Sequence, residues 1–347
     1  MFAHALRCAS AIITLENNAR TISGLEIKSA FSRMITQNRR HTHLQLRSIP
    51  PTISLTSFSG VCMSACRIER LIPALAVSEG AGVTVHRTIG TPALRNLDPF
   101  LMLDHFNSDD PEAYIAGFPD HPHRGFVTVT YMLNGHMLHQ DSMGNRGNLR
   151  AGGAQWMKAA SGIIHSEMPQ QSDGLMRGFQ LWINLPAREK MSDPDYQEIS
   201  PEGIPSDTPD GATVRVIAGQ YRNTRGPVAD PNTQALYFDV ALTAGHQFAH
   251  RVDPQMRGFI YVFEGAAAMQ GQALPLHHLA VLSGGESVDI DAATQAARFI
   301  IVMGRPLGEP IVQSGPFVMN TRDEIEQAMR DYHIGKLVQK KAKFAEK

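Results

Sequence analysis

Phe126-Val127-Thr128-Val129-Thr130-Tyr131-Met132-Leu133-Asn134-Gly135-His136-Met137-Leu138-His139-Gln140 reads as a strand, a tight turn and a returning strand. Its first half is β-branched and aromatic, the composition that fits a pleated, packed surface. Asn134-Gly135 supplies the residue pair that enters positive φ at least cost, the turn chemistry of two-residue hairpins. His136 to Gln140 is therefore expected to run back antiparallel as a hairpin partner. The same grammar extends outward on both sides. Val83-Thr84-Val85-His86-Arg87-Thr88-Ile89 alternates, Met143-Gly144-Asn145 and Gly152-Gly153 punctuate, and Gln155-Trp156-Met157-Lys158 reads as a further strand. Phe179 to Leu185 is apolar enough to be buried on much of both faces. Regular short strands with tight turns, and hardly any long helical pattern, indicate an all-β sandwich or barrel.

From Pro186 to about Pro209 the chain turns polar and Pro-rich, with Pro194, Pro201, Pro205 and Pro209, which reads as a linker or irregular crossover. A second β-rich stretch follows from Val214. Its clearest strands are Ala235 to Leu242, Gly258 to Gly265 and Ala297 to Val302. The turn spacing resembles that of the first half, so a duplicated fold is expected. Near the C-terminus, Thr321-Arg322-Asp323-Glu324 has the form of a capping box, and Ile325, Ala328, Met329 and Tyr332 follow at helical spacing. A short helix should pack its apolar stripe on the body there, ahead of a solvated Lys340, Lys341, Lys343 tail.

The 347 residues carry a formal net charge of -1, with 43% apolar and 19% charged residues, so no overall electrostatic footprint for nucleic acid or an anionic membrane exists. Cys8, Cys62 and Cys66 are too few for a disulfide framework or a thiolate zinc site. A reducing, cytoplasmic setting is the expectation, or a nuclear one in a eukaryote. No apolar run of about 18 residues reads as a membrane span. Residues 1–65 differ from the rest: Arg7, Arg20, Lys28, Arg33, Arg39, Arg40 and Arg47 stand against only Glu16 and Glu26, with no sustained period. This extension reads as poorly ordered, either a transit-type leader or sequence upstream of a true start at Met63.

Two short pairs carry the chemistry. His121-Pro122-His123 and His165-Ser166-Glu167 each place two metal-ligand side chains two positions apart. On extended strands such pairs share a face, so neighbouring strands could aim three imidazoles and one carboxylate at one point. With no thiolate in the set, Fe(II), Mn(II), Ni(II), Cu(II) or catalytic Zn(II) all suit it, and a five- or six-coordinate ion keeps positions open. Glu167 is also the candidate proton acceptor. Phe118 and Trp156 are candidate pocket walls, and Asp120 and Arg124 are expected at the mouth or paired with each other. In the second half, His246, His250, His277 and His278 lack a His-x-Glu companion and read as structural.

Gly117-Phe118-Pro119-Asp120-His121-Pro122-His123-Arg124-Gly125-Phe126, Gly162-Ile163-Ile164-His165-Ser166-Glu167-Met168-Pro169, Gln180-Leu181-Trp182-Ile183-Asn184-Leu185 and Gly315-Pro316-Phe317-Val318-Met319-Asn320-Thr321 resemble the pirins of the cupin superfamily. So do Asn96-Leu97-Asp98-Pro99-Phe100 and Gln155-Trp156-Met157, and the resemblance runs from about Arg67 to Tyr332. It implies a bicupin, two antiparallel β-barrels of the double-stranded β-helix type with a short C-terminal helix. The expected division is a metal-bearing barrel over 66–190, a linker over 191–213, a metal-free barrel over 214–320, and a helix with tail over 321–347. The resemblance further implies His121, His123, His165 and Glu167 as ligands of one divalent ion, most often iron.

A quercetin 2,3-dioxygenase-like activity on a flavonol with dioxygen is one implied function. The other is a metal- or redox-responsive regulator that binds a transcription factor or metabolic enzyme without turnover. The chain is expected to be a monomer with no direct nucleic-acid or membrane contact. Many pirins carry Glu where this chain has Val127, which on this reading deprives the site of a candidate base. The resemblance begins just after Met63, where a pirin would be expected to start. N-terminal sequencing of the native protein should accordingly read from Met63; peptides from Thr21 to Arg47 in the mature protein would contradict it.

Overall fold

The computed structural model describes residues 64–292 and 294–339; the N-terminal extension and the lysine tail lie outside the described residues. Within them the strands assemble into two pairs of sheets. A seven-stranded sheet runs in the order Asp195–Ile199, Ala154–Lys158, Phe126–Asn134, Met176–Asn184, Phe100–Ser108, Val83–Arg87, Leu75–Glu79. Its four-stranded companion runs Phe118–His123, Ile163–Pro169, His136–Asp141, Arg146–Arg150. The second pair repeats the plan. There the seven strands are Ile68–Pro73, His278–Leu282, Arg257–Gly265, Ala297–Gly304, Leu236–Leu242, Ala212–Ala218 and Ser206–Asp207. Their companions are His246–Arg251, Ser287–Ala292, Ala267–Met269 and Gln272–Leu274.

The expected hairpin at Asn134-Gly135 is not a paired one. Gly135 does take positive φ, +94°, but the turn passes the chain from the seven-stranded sheet to the four-stranded one. Phe126–Asn134 pairs with Met176–Asn184 and Ala154–Lys158, while His136–Asp141 pairs with Ile163–Pro169 and Arg146–Arg150. Phe126–Asn134 is buried at all but its last position and the returning strand at Met137, Leu138 and His139, and a partner strand on each side gives each more ladder and more apolar cover than a lone two-strand hairpin could. The Pro-rich stretch differs too: Asp195–Ile199 within it forms an edge strand on Ala154–Lys158. Ile68–Pro73, placed by sequence with the first barrel, pairs instead with His278–Leu282 of the second.

Alternation along each strand of the seven-stranded sheets gives two faces with separate duties. One face from each sheet meets in a shared apolar layer. Val129, Tyr131, Phe179, Leu181 and Ile183 come from the first sheet, and Tyr237, Phe259, Tyr261, Ile300 and Val302 from the second. Trp156 and Val127 belong to this layer. The opposite face of the second sheet, with its companion strands, closes a solid interior built on Val216, Phe238, Phe248, Ile260, Ile290 and Ile301. The C-terminal helix Arg322–His333 starts at Thr321 with the full capping box expected of it.

A buried ion pair joined by a phenol is among the polar bridges that cross the layer between the sheets. Tyr131 donates its hydroxyl to Asp239 Oδ2 at 2.7 Å, and Arg298 donates Nε and Nη2 to both oxygens of the same carboxylate at 3.0 and 2.7 Å. Burial and the adjacent Asp239 carboxylate together push the Tyr131 phenol well up. Asp239→Ala strands Arg298 and Tyr131; because Arg298 keeps some contact with water, the expected loss is about 3 kcal/mol, the low end for breaking a buried ion pair. Tyr131→Phe, which leaves the ion pair intact, should cost only about 1 kcal/mol in the same urea titration.

Candidate metal centre

The interior of the first barrel is polar where that of the second is apolar, and the strand register shows how. Arg87 lies opposite Asp104, Asp104 opposite Gln180, Gln180 opposite Thr130, and Thr130 opposite Gln155. Directly opposed residues share a face, so these five form one polar row across five strands. Apolar rows flank it, with Met102 and Trp182 on one side and Phe106 and Met132 on the other. Arg87 grips Asp104 through Nε and Nη2 at 2.7 and 2.6 Å and reaches Glu79 at 2.7 Å. Burial pushes the Asp104 carboxyl up, and the guanidinium pulls against that rise.

The four-stranded sheet faces this row with the sequence-predicted residues. Phe118–His123 pairs antiparallel with Ile163–Pro169, placing His165 directly opposite His121. The ring centroids of His121, His123 and His165 lie 4.3 to 5.0 Å apart. One nitrogen from each ring falls within 4.8 Å of the others, so the three histidines come together as a group that could hold a metal ion. Glu167 belongs to a second, overlapping group with His165 and His139 at the same separation. His121, His123 and His165 thus form one triad, and Glu167 shares only His165 with it, in a second triad that His139 completes.

Their hydrogen bonds define which atoms are free. His121 Nδ1 lies 2.8 Å from the Pro119 carbonyl, which it meets as a donor, leaving its Nε2 as the acceptor nitrogen. His165 Nε2 is buried and has no hydrogen-bond partner, a cost that a bound cation would remove. Burial and the neighbouring imidazoles hold His123 and His165 well below the ordinary histidine range, so both rings are neutral and keep a lone pair. Glu167 Oε1 accepts from the Thr130 hydroxyl and Oε2 from Gln180 Nε2, each at 2.9 Å. A carboxylate, three imidazoles and no thiolate make a donor set that fits a divalent transition metal.

The site opens on a cavity of about 540 Å³ lined by His121, His123, Glu167, Phe118, Trp182 and Arg87, among others. Phe118 forms a wall as expected, but the tryptophan does not. Trp156 lies on the inter-sheet face, and the wall is Trp182, its ring centroid 5.1 Å from that of His123 and 4.3 Å from that of Phe126, tilted 30° to it. Asp120 lines the cavity, whereas Arg124 turns away from it. Its Nη1 pairs with Asp331 of the C-terminal helix at 2.8 Å, and Nε donates to the Ser161 carbonyl. Val127 also points away from the site, into the layer between the sheets, so its identity removes no base from the cavity.

Sequence reasoning missed Thr130, Gln180, Gln155 and His139. The first three are ordinary strand residues whose meeting depends on register. His139 was findable, because His139-Gln140-Asp141 repeats the two-apart pairing of ligand-type residues seen at His121 and His165. In the second barrel, His250 packs against Tyr221 and Phe238, and burial lowers its pKa to about 4. Among the described residues, the groups that could hold a metal include none of His246, His250, His277 and His278.

The comparisons with known proteins agree in kind. The Pirin family model matches residues 82–183 and that of the Pirin C-terminal cupin domain residues 237–338. A Pseudomonas aeruginosa protein provisionally named quercetin 2,3-dioxygenase is 50% identical over 269 residues, 75% of this chain and 94% of its own length. Human pirin is 43% identical, covering 75% of this chain and 89% of its own. The crystal structure of a quercetin 2,3-dioxygenase from Acinetobacter baumannii superposes with a TM-score of 0.74 at 32% identity, over 79% of this chain and 99% of that one.

Because Thr130 and Gln180 each satisfy one oxygen of a buried carboxylate, Thr130→Val and Gln180→Leu should each lower the stability of metal-free protein by about 1–3 kcal/mol. The double variant should cost less than the sum, since both donors serve one carboxylate. Thermal unfolding of the set checks this, and strict additivity would contradict it.

Proposed function

The chain belongs to the pirin family, and on that premise we propose that it is a mononuclear metal protein acting as an Fe(II)-dependent dioxygenase on a flavonol such as quercetin. The observation that carries the metal assignment is the buried, unpartnered Nε2 of His165 within a group of three histidines. In this reading His121, His123, His165 and Glu167 hold the ion. Bound there, it would supply a Lewis acid for the substrate's hydroxyl and carbonyl oxygens and the redox chemistry that dioxygen requires. Mn, Ni, Cu and Zn suit the same donors, and supply in the cell decides among them.

The chain's own contribution is positioning and proton handling. The cavity admits a flat polycyclic molecule, with Phe118 and Trp182 as apolar walls on which an aromatic ring can rest. Thr130 and Gln180 fix the orientation of the Glu167 carboxylate, whose remaining lone pairs would accept the proton that a substrate hydroxyl gives up. The Arg87, Asp104 and Glu79 network offers fixed polar contacts at the far wall for the substrate's outer hydroxyls. The names of the Pseudomonas and Acinetobacter relatives point the same way. Val127 lies in the layer between the sheets, outside the pocket, so it gives no support to a regulator without turnover.

Freshly isolated protein should contain about one metal ion per chain by elemental analysis, and iron-loaded protein should consume dioxygen with quercetin. Trp182→Ala should raise KM for the flavonol about 10-fold or more by removing an aromatic wall. Absence of oxygen uptake across a panel of flavonols and catechols with metal-replete protein would overturn the dioxygenase assignment.

A further inference from the structure

His139 is fully buried, in the strand beside the ligand-bearing one, and it faces Glu167 in register. Its Nε2 lies 3.2 Å from Asp141 Oδ2, its Nδ1 lies 3.0 Å from Gln155 Nε2, and the same Nδ1 lies 3.3 Å from His165 Nδ1. These contacts form a chain from Asp141 through His139 to His165.

The proton positions along it follow from donor and acceptor inventories. Asp141 is surrounded by donors: Oδ1 accepts from the backbone N–H groups of Met143 and Asn145 at 2.9 and 3.0 Å, and Oδ2 accepts from Asn145 Nδ2 at 2.9 Å. A carboxylate so held takes a proton-bearing nitrogen from the ring beside it, so His139 carries its hydrogen on Nε2. Its Nδ1 is then the acceptor, its single lone pair shared between the Gln155 amide at 3.0 Å and the His165 ring at 3.3 Å. Two ring nitrogens can share a hydrogen bond only if one donates, so His165 must carry its hydrogen on Nδ1. That assignment leaves the lone pair of His165 on Nε2, the buried nitrogen with no partner.

We propose that His139, anchored by Asp141, is a positioning residue that fixes the tautomer and ring orientation of His165 and so presents His165 Nε2 to the metal. The proposal rests on the metal-centre reading above. It extends it to a residue whose two ring nitrogens are both engaged elsewhere, which excludes His139 itself as a ligand in this arrangement. It also couples the site to a surface turn. Asp141 is the residue around which Ser142 to Asn145 fold, so the hydrogen bonds shaping that turn set the ring that sets the ligand. Outer partners of this kind typically contribute 10- to 100-fold in metal affinity.

The test uses the full-length protein with Co(II) as the probe, whose visible absorption reports ligand geometry. His139→Phe keeps the ring volume and removes the acceptor; Co(II) affinity should fall by about 10- to 100-fold with an altered visible spectrum. His139→Gln, whose Oε1 can accept the His165 Nδ1 hydrogen, should recover most of the affinity and the wild-type spectrum. Equal Co(II) affinity in His139→Phe and wild type overturns the positioning role and leaves the metal centre standing. A wild type that does not bind Co(II) overturns the metal centre and this proposal with it. Independently of how any variant folds, ¹⁵N NMR of the histidine rings in metal-free wild type should show His165 as the Nδ1–H tautomer. Finding Nε2–H overturns the proposal.

Discussion

A charged and a polar group can be buried in a β-barrel only if other buried groups meet them, and the row from Arg87 to Gln155 is how this chain meets that condition. Five strands contribute one polar side chain each to a single line across a sheet that is otherwise apolar on that face. Two residues of the facing sheet land on the line. Glu167 sits over Thr130 and Gln180, and His139 over Gln155. Removing any rung leaves its neighbours desolvated without a partner, which costs more than the bond itself contributes. The strands that carry His139, His165 and Glu167 are thus located by hydrogen bonding across the barrel as well as along the sheets. A one-residue slip would put Val129, Leu181 and Leu103 under Glu167 instead.

The two barrels show what that row accomplishes by contrast. Across the second seven-stranded sheet, Val216, Phe238, Ile301, Ile260 and Ala280 lie opposite one another in an unbroken apolar line. Phe248, Val288 and Ile290 fill the space above it from the companion sheet. The same architecture is solid in one copy and hollow in the other. Solidity in the second barrel and the shared apolar layer supply the hydrophobic burial that a polar, hollow first barrel lacks.

Much of this was legible from the sequence, and the remainder was hidden for identifiable reasons. Strand identity came through because β-branched runs and glycine turns are local signals, as at Phe126–Asn134 and Arg257–Gly265. The helix start at Thr321 was equally local. His121, His123 and His165 were readable because two-apart spacing on a strand is enough to place side chains on one face. Strand pairing was not readable. Asn134-Gly135 encodes a turn but not which sheet the chain enters next, and that was decided by partners far away in sequence. The same limit explains the exchange of Trp156 for Trp182 and the misplacement of Val127. Each depends on which of two faces looks at the cavity, and a strand buried on both sides carries no alternation to reveal it.

The chain also trades its ends. Its first described strand, Ile68–Pro73, completes the second barrel's sheet on His278–Leu282. Its last segment returns the favour: Val318 accepts from the Lys190 ammonium and donates its N–H to the Arg124 carbonyl, beside Gly125, where the Val318 carbonyl leaves no room for a Cβ. During synthesis on a ribosome, the first of these strands must wait for nearly the whole second barrel to emerge before its hydrogen bonds are satisfied. The histidine-bearing strand likewise lacks its final clamp until the C-terminus is released. Completion of the histidine pocket is therefore a late event in the life of the nascent chain, and a truncated polypeptide would present these side chains without the backbone that holds them in place.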